Sequence, residues 1–190
     1  MKVVTKNEYE QHRDGYLSQI KSGAIFIYPT DTIYGLGCNA LIGKSVKKVR
    51  DIKQRPSTPF SVIAPSVEWI REFCIVPAQA EEWLSKLPGP YTFIFKMKEQ
   101  GFLSSEVSSD GQTIGVRIPN HWIRQVVADL GYPIVTTSVN EKGKSFMTSL
   151  EDLDANIQKQ VNLILYDGEK KGKPSQIIHF EGEDVTIVSR

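Results

Sequence analysis

The sequence has few of the residues that build disulfide frameworks and transition-metal sites. Its 190 residues include two cysteines and three histidines. Cys38 and Cys74 are far apart and form no CxxC pair, so we predict two buried thiols in a reducing compartment. His12, His121 and His179 match no HExxH or mixed Cys/His spacing, and no dedicated metal site is predicted. A Ser/His/Asp or Cys/His arrangement for covalent catalysis is not indicated either.

The sequence also lacks a strong charge imbalance and a long apolar run. A formal net charge of +1 excludes a protein that coats nucleic acid through bulk charge, although it is compatible with a local basic patch. No apolar run approaches the length of a membrane span, and the first residues contain no signal-peptide core, so we expect a cytoplasmic protein. The length of 190 residues, with 40% hydrophobic and 24% charged residues, predicts one domain over 1–190.

Hydrophobic periodicity predicts helices that alternate with strands. Helices are predicted at 5–22, 43–53, 66–73, 78–86 and 120–130, the last capped by Asn120, with another that begins at a Thr148/Glu151 capping box. Strands are predicted at 24–28, 60–64, 91–97, 113–118, 134–137 and 161–166, with a terminal hairpin of 177–180 and 185–188. Residues 29–37 and 99–111 are predicted as loops. Because two hairpin-like pairings accompany the alternation, the fold class is a mixed α/β sheet.

A polar segment follows the first apolar strand. Residues 29–37 read PTDTIYGLG and contain three hydroxyls, one carboxylate and two glycines. Open α/β sheets bind ligands beyond the carboxyl ends of their strands. The segment is therefore predicted to contact a small polar ligand.

Two glycine patterns near this segment have the form of nucleotide-binding motifs, but their context does not fit. GLGCNA at 35–40 matches the dinucleotide fingerprint, yet residues 29–34 separate it from the strand and no acid ends the next strand. Residues 38–42 lie between Gly37 and Gly43, one more than the phosphate-cradling loop has, and the extra residue disrupts the nest of backbone N–H groups. Neither motif is predicted to bind a nucleotide.

The end of a basic helix provides a second polar region. Lys53 and Arg55 lie where Pro56 ends the helix, beyond its regular solvent-facing stripe. The arginine fork and the lysine point charge both suit phosphate oxygens, so this pair could neutralise a triphosphate. Further strand ends contribute Thr113, Arg117, Thr136, Ser138 and Ser175.

Together these motifs resemble the YrdC-like threonylcarbamoyl-adenylate synthases, in their short, single-domain form. The resemblance covers nearly the whole chain and rests on PTDTIYGLG at 29–37, KQRP at 53–56, LPGP at 87–90, GVRIP at 115–119 and TSVN at 137–140. It implies a twisted open mixed sheet flanked by helices around a large, positively charged cavity. It also implies a nucleotidyltransferase that makes L-threonylcarbamoyl-AMP and pyrophosphate from L-threonine, bicarbonate or CO2, and ATP. A tRNA-modifying transferase complex then uses the product.

The resemblance implies a threonine side of the site. Thr32 resembles a threonine ligand, with Thr30 and Tyr34 shaping the same wall. Arg117 is similar to the family's arginine that meets the threonine carboxylate. The other positions similar to threonine-side residues are Thr136 and Ser175.

The resemblance also implies a nucleotide side. Arg55, Thr113 and Ser138 match nucleotide-binding positions. Lys53, Arg55, Ser138 and Asn140 match the KxR and SxN signature around the phosphates, and Lys53 and Arg55 would stabilise the charge that develops during catalysis. Mg2+ is expected to be carried by ATP, because the sequence contains no evident cage of carboxylates.

Two alternatives stay open. A YciO-like paralogue would share the fold but have a different activity, and the presence of both KxR and SxN argues against it. A non-catalytic RNA-binding module would bind RNA in a salt-sensitive manner and would not turn over ATP. The synthase hypothesis is itself compatible with direct RNA contact. The chain departs from the family at residues 60–64, which lack a histidine common in that strand, and at Gln176 and His179.

Overall fold

The structure is a computed structural model that describes residues 1–108, 111–141, 143–181 and 184–189. The helices are α1 (Lys6–Gln11), α2 (Arg13–Lys21), α3 (Gly43–Lys53), α4 (Val67–Phe73), α5 (Ala78–Leu84), α6 (Ile123–Leu130) and α7 (Ala155–Gln158). The strands are β1 (Lys2–Thr5), β2 (Phe26–Tyr28), β3 (Gly35–Gly37), β4 (Ser61–Ile63), β5 (Cys74–Ile75), β6 (Tyr91–Met97), β7 (Thr113–Arg117), β8 (Ile134–Ser138), β9 (Leu163–Tyr166), β10 (Gln176–Glu181) and β11 (Asp184–Val188). None of the described helices is long and apolar enough to cross a membrane.

The strands form one mixed sheet, as the sequence predicted. Its order is β1-β9-β2-β3-β8-β4-β7-β6-β10-β11, and β5 pairs with β6. β1 and β9, β2 and β9, β4 and β7, and β6 and β10 pair parallel. The remaining pairs, including the predicted hairpin of β10 and β11, are antiparallel. Residues 182–183 of its predicted turn and residues 109–110 of the predicted loop lie outside the described residues.

Helices cover both faces of the sheet, and strand alternation divides the core between them. In β2, Ile27 joins the core under α3, α4 and α5, whereas Phe26 and Tyr28 join the core under α1, α2 and α6. Val62 and Ile63 in β4 divide in the same way. Each fully buried side chain of this kind contributes about 1.5–3 kcal/mol to the stability of the fold. The cores on both faces of the sheet therefore hold the central strands in place.

The polar segment after β2 is not a loop throughout, because its last residues form β3. This strand pairs antiparallel with β2 and β8. A Cβ on Gly35 would meet the ring of Tyr28, and a Cβ on Gly37 would clash with the carbonyl oxygen of Val135 in β8. The missing side chains therefore allow the backbones to approach closely, a use of glycine that makes a strand difficult to recognise from sequence.

The first predicted helix is interrupted. The capping box of Thr5 and Glu8 is confirmed, but α1 ends at Gln11, because the next residue, His12, has a φ of −127° and a ψ of 29°, which are not helical. α2 then begins after the same residue. α3 and β6 have the predicted bounds, because the helix has a regular apolar face and the strand alternates without interruption.

Two predicted helix starts are also corrected. Asn120 does not cap α6, because the helix begins three residues later, after Trp122, which makes no side-chain cap hydrogen bond. The Asn120 backbone N–H donates to the Asp31 carboxylate at 2.9 Å. The capping box predicted at Thr148 and Glu151 is formed by Ser149 and Asp152. It begins a short 3-10 turn over Leu150–Asp152 rather than an α-helix.

Candidate active site

A cavity of about 220 Å3 lies among the central strands. The charged side chains among its described lining residues are Arg55 and Arg117. Hydroxyl groups make up most of the remaining lining, and Ile33, Phe146 and Pro174 provide apolar contact. Two cations among hydroxyls suit a small anionic ligand with several hydrogen-bonding groups.

Arg117 is held on one wall of this cavity by a carboxylate and a hydroxyl. Its side chain is 7% exposed and forms an ion pair with Asp31 at 2.8 Å. Asp31 also accepts the Asn120 N–H, and Arg117 donates to Thr32 Oγ1 at 3.3 and 3.4 Å. Burial lowers the pKa of Arg117, and the Asp31 charge opposes this effect. The Arg117 Nε has no partner within the described chain, so this buried guanidinium still has a donor to offer.

Two threonine hydroxyls continue this wall. Thr30 Oγ1 donates to the Ile33 carbonyl at 2.7 Å and lies 2.9 Å from Thr32 Oγ1. The Thr32 N–H also donates to Thr30 Oγ1, at 3.1 Å. We call Thr30, Asp31, Thr32 and Arg117 the Arg117 cluster. Its turn-forming hydrogen bonds fix the donors and acceptors before any ligand arrives.

Tyr34 joins the cavity to residues 167–175, which connect β9 to β10. Its hydroxyl donates to the Gly168 carbonyl at 2.6 Å and accepts the Asp167 N–H at 3.1 Å. Burial raises the pKa of Tyr34, which keeps the phenol neutral. The 167–175 connection ends at Ser175, whose hydroxyl lies 2.8 Å from that of Thr92.

Ser61 and Thr92 also line the cavity, although the sequence did not identify them. Ser61 lies opposite Gly115 and Thr136 in the neighbouring strands. Each is a single hydroxyl within an apolar strand, which is a weak signal. Only the strand pairing shows where these hydroxyls point.

Lys53 does not line the cavity and lies behind Ser138, which does. It is 1% exposed, and its ammonium donates to the Ser138 carbonyl at 2.7 Å and to Asn140 Oδ1 at 2.6 Å. The Asn140 carbonyl is a third acceptor, and the Ser138 hydroxyl donates to Asn140 Oδ1 at 2.6 Å. Burial and the neighbouring charge of Arg55 lower the pKa of Lys53 to about 7. We call Lys53, Arg55, Ser138 and Asn140 the Lys53 cluster.

The structure brings most of the predicted site residues together. Those that line the cavity are Thr30, Tyr34, Arg55, Arg117, Thr136, Ser138 and Ser175. Thr32 contacts Arg117 from the side, while Lys53 and Asn140 support Ser138 from behind. Thr113 lies on β7 opposite Lys96 and is not among the described lining residues. Within the described ranges, no group of three or more His, Cys, Asp or Glu side chains could hold a metal ion.

Comparisons with known proteins agree with this fold. The Sua5/YciO/YrdC family, described as "Telomere recombination", matches residues 18–190. A threonylcarbamoyl-AMP synthase of Vibrio parahaemolyticus is 31% identical over 169 residues, covering 85% of this chain and 90% of its own. The uncharacterised protein YciO of Escherichia coli is 28% identical over 173 residues, covering 89% and 84%.

A solved structure has the same fold. P. abyssi Sua5 in complex with L-threonine superposes with a TM-score of 0.86 at 27% identity, covering 97% of this chain. The chain spans 55% of the length of that Sua5 protein. The family match over residues 18–190 and the agreement of the fold with that of Sua5 lead to one conclusion. The chain belongs to the Sua5/YciO/YrdC family.

Proposed function

We propose that this protein is a transferase that makes L-threonylcarbamoyl-AMP and pyrophosphate from L-threonine, bicarbonate or CO2, and ATP. The observation that carries the proposal is that Arg117 and Arg55 line one cavity together with the hydroxyls of Thr30 and Ser138. An amino acid and a nucleotide bound at these two positions would be held next to each other. The threonylcarbamoyl-AMP synthase and the threonine-bound Sua5 among its relatives support this assignment.

The Arg117 cluster is proposed to bind the amino acid. The unpartnered Nε of Arg117 offers a charge-assisted hydrogen bond to a carboxylate. Thr30, Thr32 and Tyr34 supply hydroxyls on the same side, and Thr136 and Ser175 complete it. Ile33 and Pro174 provide the apolar surface that a threonine methyl group needs.

The Lys53 cluster is proposed to bind ATP. Arg55, two residues after α3, and Ser138, the last residue of β8, both line the cavity. Lys53 and Asn140 fix the turn that presents Ser138, and the Lys53 ammonium adds positive charge behind it. Thr113 is assigned to the nucleotide by its motif alone. Mg2+ would enter as a complex with the triphosphate.

The proposed chemistry forms one bond at phosphorus. The threonine amine adds to CO2 and loses a proton, which gives a carbamate. A carbamate oxygen then attacks the α-phosphorus of ATP, and pyrophosphate leaves with the bonding electrons. Arg55 and Lys53 stabilise the charge that develops on the phosphates, so positioning and electrostatics supply most of the acceleration. A nucleotidyltransferase of this kind supplies a tRNA-modifying complex, and direct RNA contact is compatible with the proposal.

Pyrophosphate release from ATP tests the proposal. We expect release only when L-threonine and bicarbonate are both present. With L-serine, release should be at least about tenfold slower, because one methyl group in an apolar pocket changes the rate by roughly 10- to 200-fold. Release that is independent of the amino acid would instead indicate an activity like that of a diverged YciO-type paralogue. Salt-sensitive RNA binding without any release would indicate the RNA-binding module.

A further inference from the structure

Arg50 is a buried cation outside the site described above. It lies on α3 with a side chain that is 6% exposed, whereas Lys47, one turn earlier, is 66% exposed. A buried guanidinium costs free energy unless its donors are satisfied. Arg50 therefore needs hydrogen-bond acceptors from the surrounding chain, and the positions of these acceptors show which segments it connects.

The acceptors of Arg50 are carbonyl groups of two separate segments. Its Nη atoms donate to the carbonyls of Arg55 at 2.9 Å, Thr58 at 3.0 Å and Val107 at 3.3 Å. Its Nε donates to the Glu106 carbonyl at 2.6 Å. These bonds join the loop after α3 to residues 106–107.

Both main-chain groups of Arg55 are bonded to Arg50. The Arg55 N–H donates to the Arg50 carbonyl at 3.1 Å, and the Arg55 carbonyl accepts from the Arg50 guanidinium at 2.9 Å. The loop is otherwise open to solvent over residues 56–59, and Gln54 before it has a left-handed φ of 50°. The guanidinium also lies 4.8 Å from the ring centroid of Phe60, at the far end of the loop.

We propose that Arg50 is a positioning residue that sets where the Arg55 side chain enters the cavity. Arg50 acts through the main chain of the loop and does not itself line the cavity. Lysine cannot replace it, because a single ammonium cannot reach carbonyls on two segments in the fixed fork of a guanidinium. The kinetic consequences of this inference rest on the proposed function.

The experiment compares Arg50→Lys with wild type in pyrophosphate release and in hydrogen exchange. Arg50→Lys keeps the charge and removes the fork. We expect kcat/KM for ATP to fall about 10- to 100-fold, the scale of a misplaced binding group, with the KM for threonine changed less than about twofold. Amides of residues 54–60 should exchange faster, while those of β8 stay unchanged.

A double-mutant cycle separates positioning from simple destabilisation. If Arg50 acts through Arg55, Arg50→Lys/Arg55→Ala should be no slower than Arg55→Ala alone. Lys47→Gln is the matched control, because it removes an exposed cation from the same helix, and we expect wild-type kinetics. Additive losses, or equal changes in the KM values for ATP and threonine, would overturn the proposal.

Two further measurements test the role of Arg50 if Arg50→Lys does not fold or if wild type shows no activity. If Arg50→Lys does not fold, a second variant tests the same guanidinium. The Glu106 carboxylate lies 3.6 Å from the Arg50 Nε and is 41% exposed, and Glu106→Gln removes its charge. We then expect faster exchange at 54–60 and a twofold to fivefold rise in the KM for ATP, on the order of one weakened surface ion pair. If wild type releases no pyrophosphate, the proposed function fails, but exchange at 54–60 still decides the role of Arg50. Unchanged exchange overturns it.

Discussion

Arg117 and Lys53 are both cations buried beside one cavity, but their charges are compensated differently. Arg117 forms an ion pair with Asp31 at 2.8 Å. The ammonium of Lys53 instead donates to neutral oxygens of Ser138 and Asn140. A carboxylate cancels charge, whereas carbonyl dipoles solvate a charge without cancelling it.

This difference indicates what each cluster can bind. The Arg117 cluster offers directed hydrogen bonds with little net charge, which suits a single carboxylate. In the Lys53 cluster, Lys53 is held by neutral groups and lies next to Arg55, so a polyanion would relieve their mutual repulsion. Arg55→Ala and Asp31→Asn test whether the two clusters act separately, and Lys53→Met and His121→Gln test how burial of a titratable group in or near each cluster affects stability.

The largest effect is expected from Arg55→Ala. Loss of one preorganised cation at the proposed phosphate site should reduce pyrophosphate release about 100-fold or more. Threonine binding, measured by calorimetry, should remain unchanged, because the Arg117 cluster is intact. Lys47→Ala serves as a control for the loss of an exposed charge. Unchanged turnover would remove Arg55 from the phosphate site.

Asp31→Asn should affect the other cluster. It leaves Arg117 without its charge partner and weakens the contact to the Asn120 N–H. We expect the KM for threonine to rise about tenfold with that for ATP unchanged, and the free energy of unfolding to fall by about 1.5–3 kcal/mol. Glu81→Gln, which breaks the exposed pair with Arg71, is the control. An equal rise in both KM values would show that the clusters are not separate.

Lys53→Met should change how stability depends on pH. The pKa of Lys53 falls from 10.5 when unfolded to about 7 when folded. Between these values the unfolded chain binds more protons, so wild-type stability gains about 1 kcal/mol per pH unit from this residue as pH rises. Below about pH 7 the full cost of burying the charge is present. The free energy of unfolding, measured by urea denaturation at pH 7, 8 and 9, should increase less steeply with pH in Lys53→Met than in wild type. The same increase in both proteins would contradict the prediction.

The smallest effect is expected from His121→Gln, near the Arg117 cluster. His121 Nε2 lies 2.9 Å from Asp167 Oδ2, and the same carboxylate forms an ion pair with Lys170. Burial and Lys170 lower the pKa of His121 from 6.5, against the opposite effect of Asp167 and Asp31. Wild-type stability should therefore fall as pH drops below about 6.5, and His121→Gln should reduce this loss by less than about 1 kcal/mol. Urea denaturation at pH 5 and 7 measures it, with exposed His12→Gln as control.

The sequence predicted the elements that have strong local signals. The basic helix and the strand over 91–97 matched the structure because periodicity alone determines them. The 29–37 segment was only partly correct, since Gly35 and Gly37 form a strand through contacts with residues far along the chain.

Within the site, the sequence identified residues that occur in motifs and missed those placed by pairing. Thr92 is one hydroxyl in an apolar strand, and its partner Ser175 is close only in the folded protein. Nothing in the sequence separates Arg50 from Lys47, because both are basic residues of one helix. Only burial and the positions of distant carbonyls distinguish them.

The close packing of β3 sets how near β2 and β8 lie to each other. β3 lies directly between β2, which leads into Thr30, and β8, which ends at Ser138. Because Gly35 and Gly37 have no side chain, these three strands pack closely, which sets the distance between the proposed amino-acid side and the proposed nucleotide side. Even a methyl group at Gly37 would meet the Val135 carbonyl oxygen and push β3 and β8 apart, although Gly37 is not among the described lining residues of the cavity.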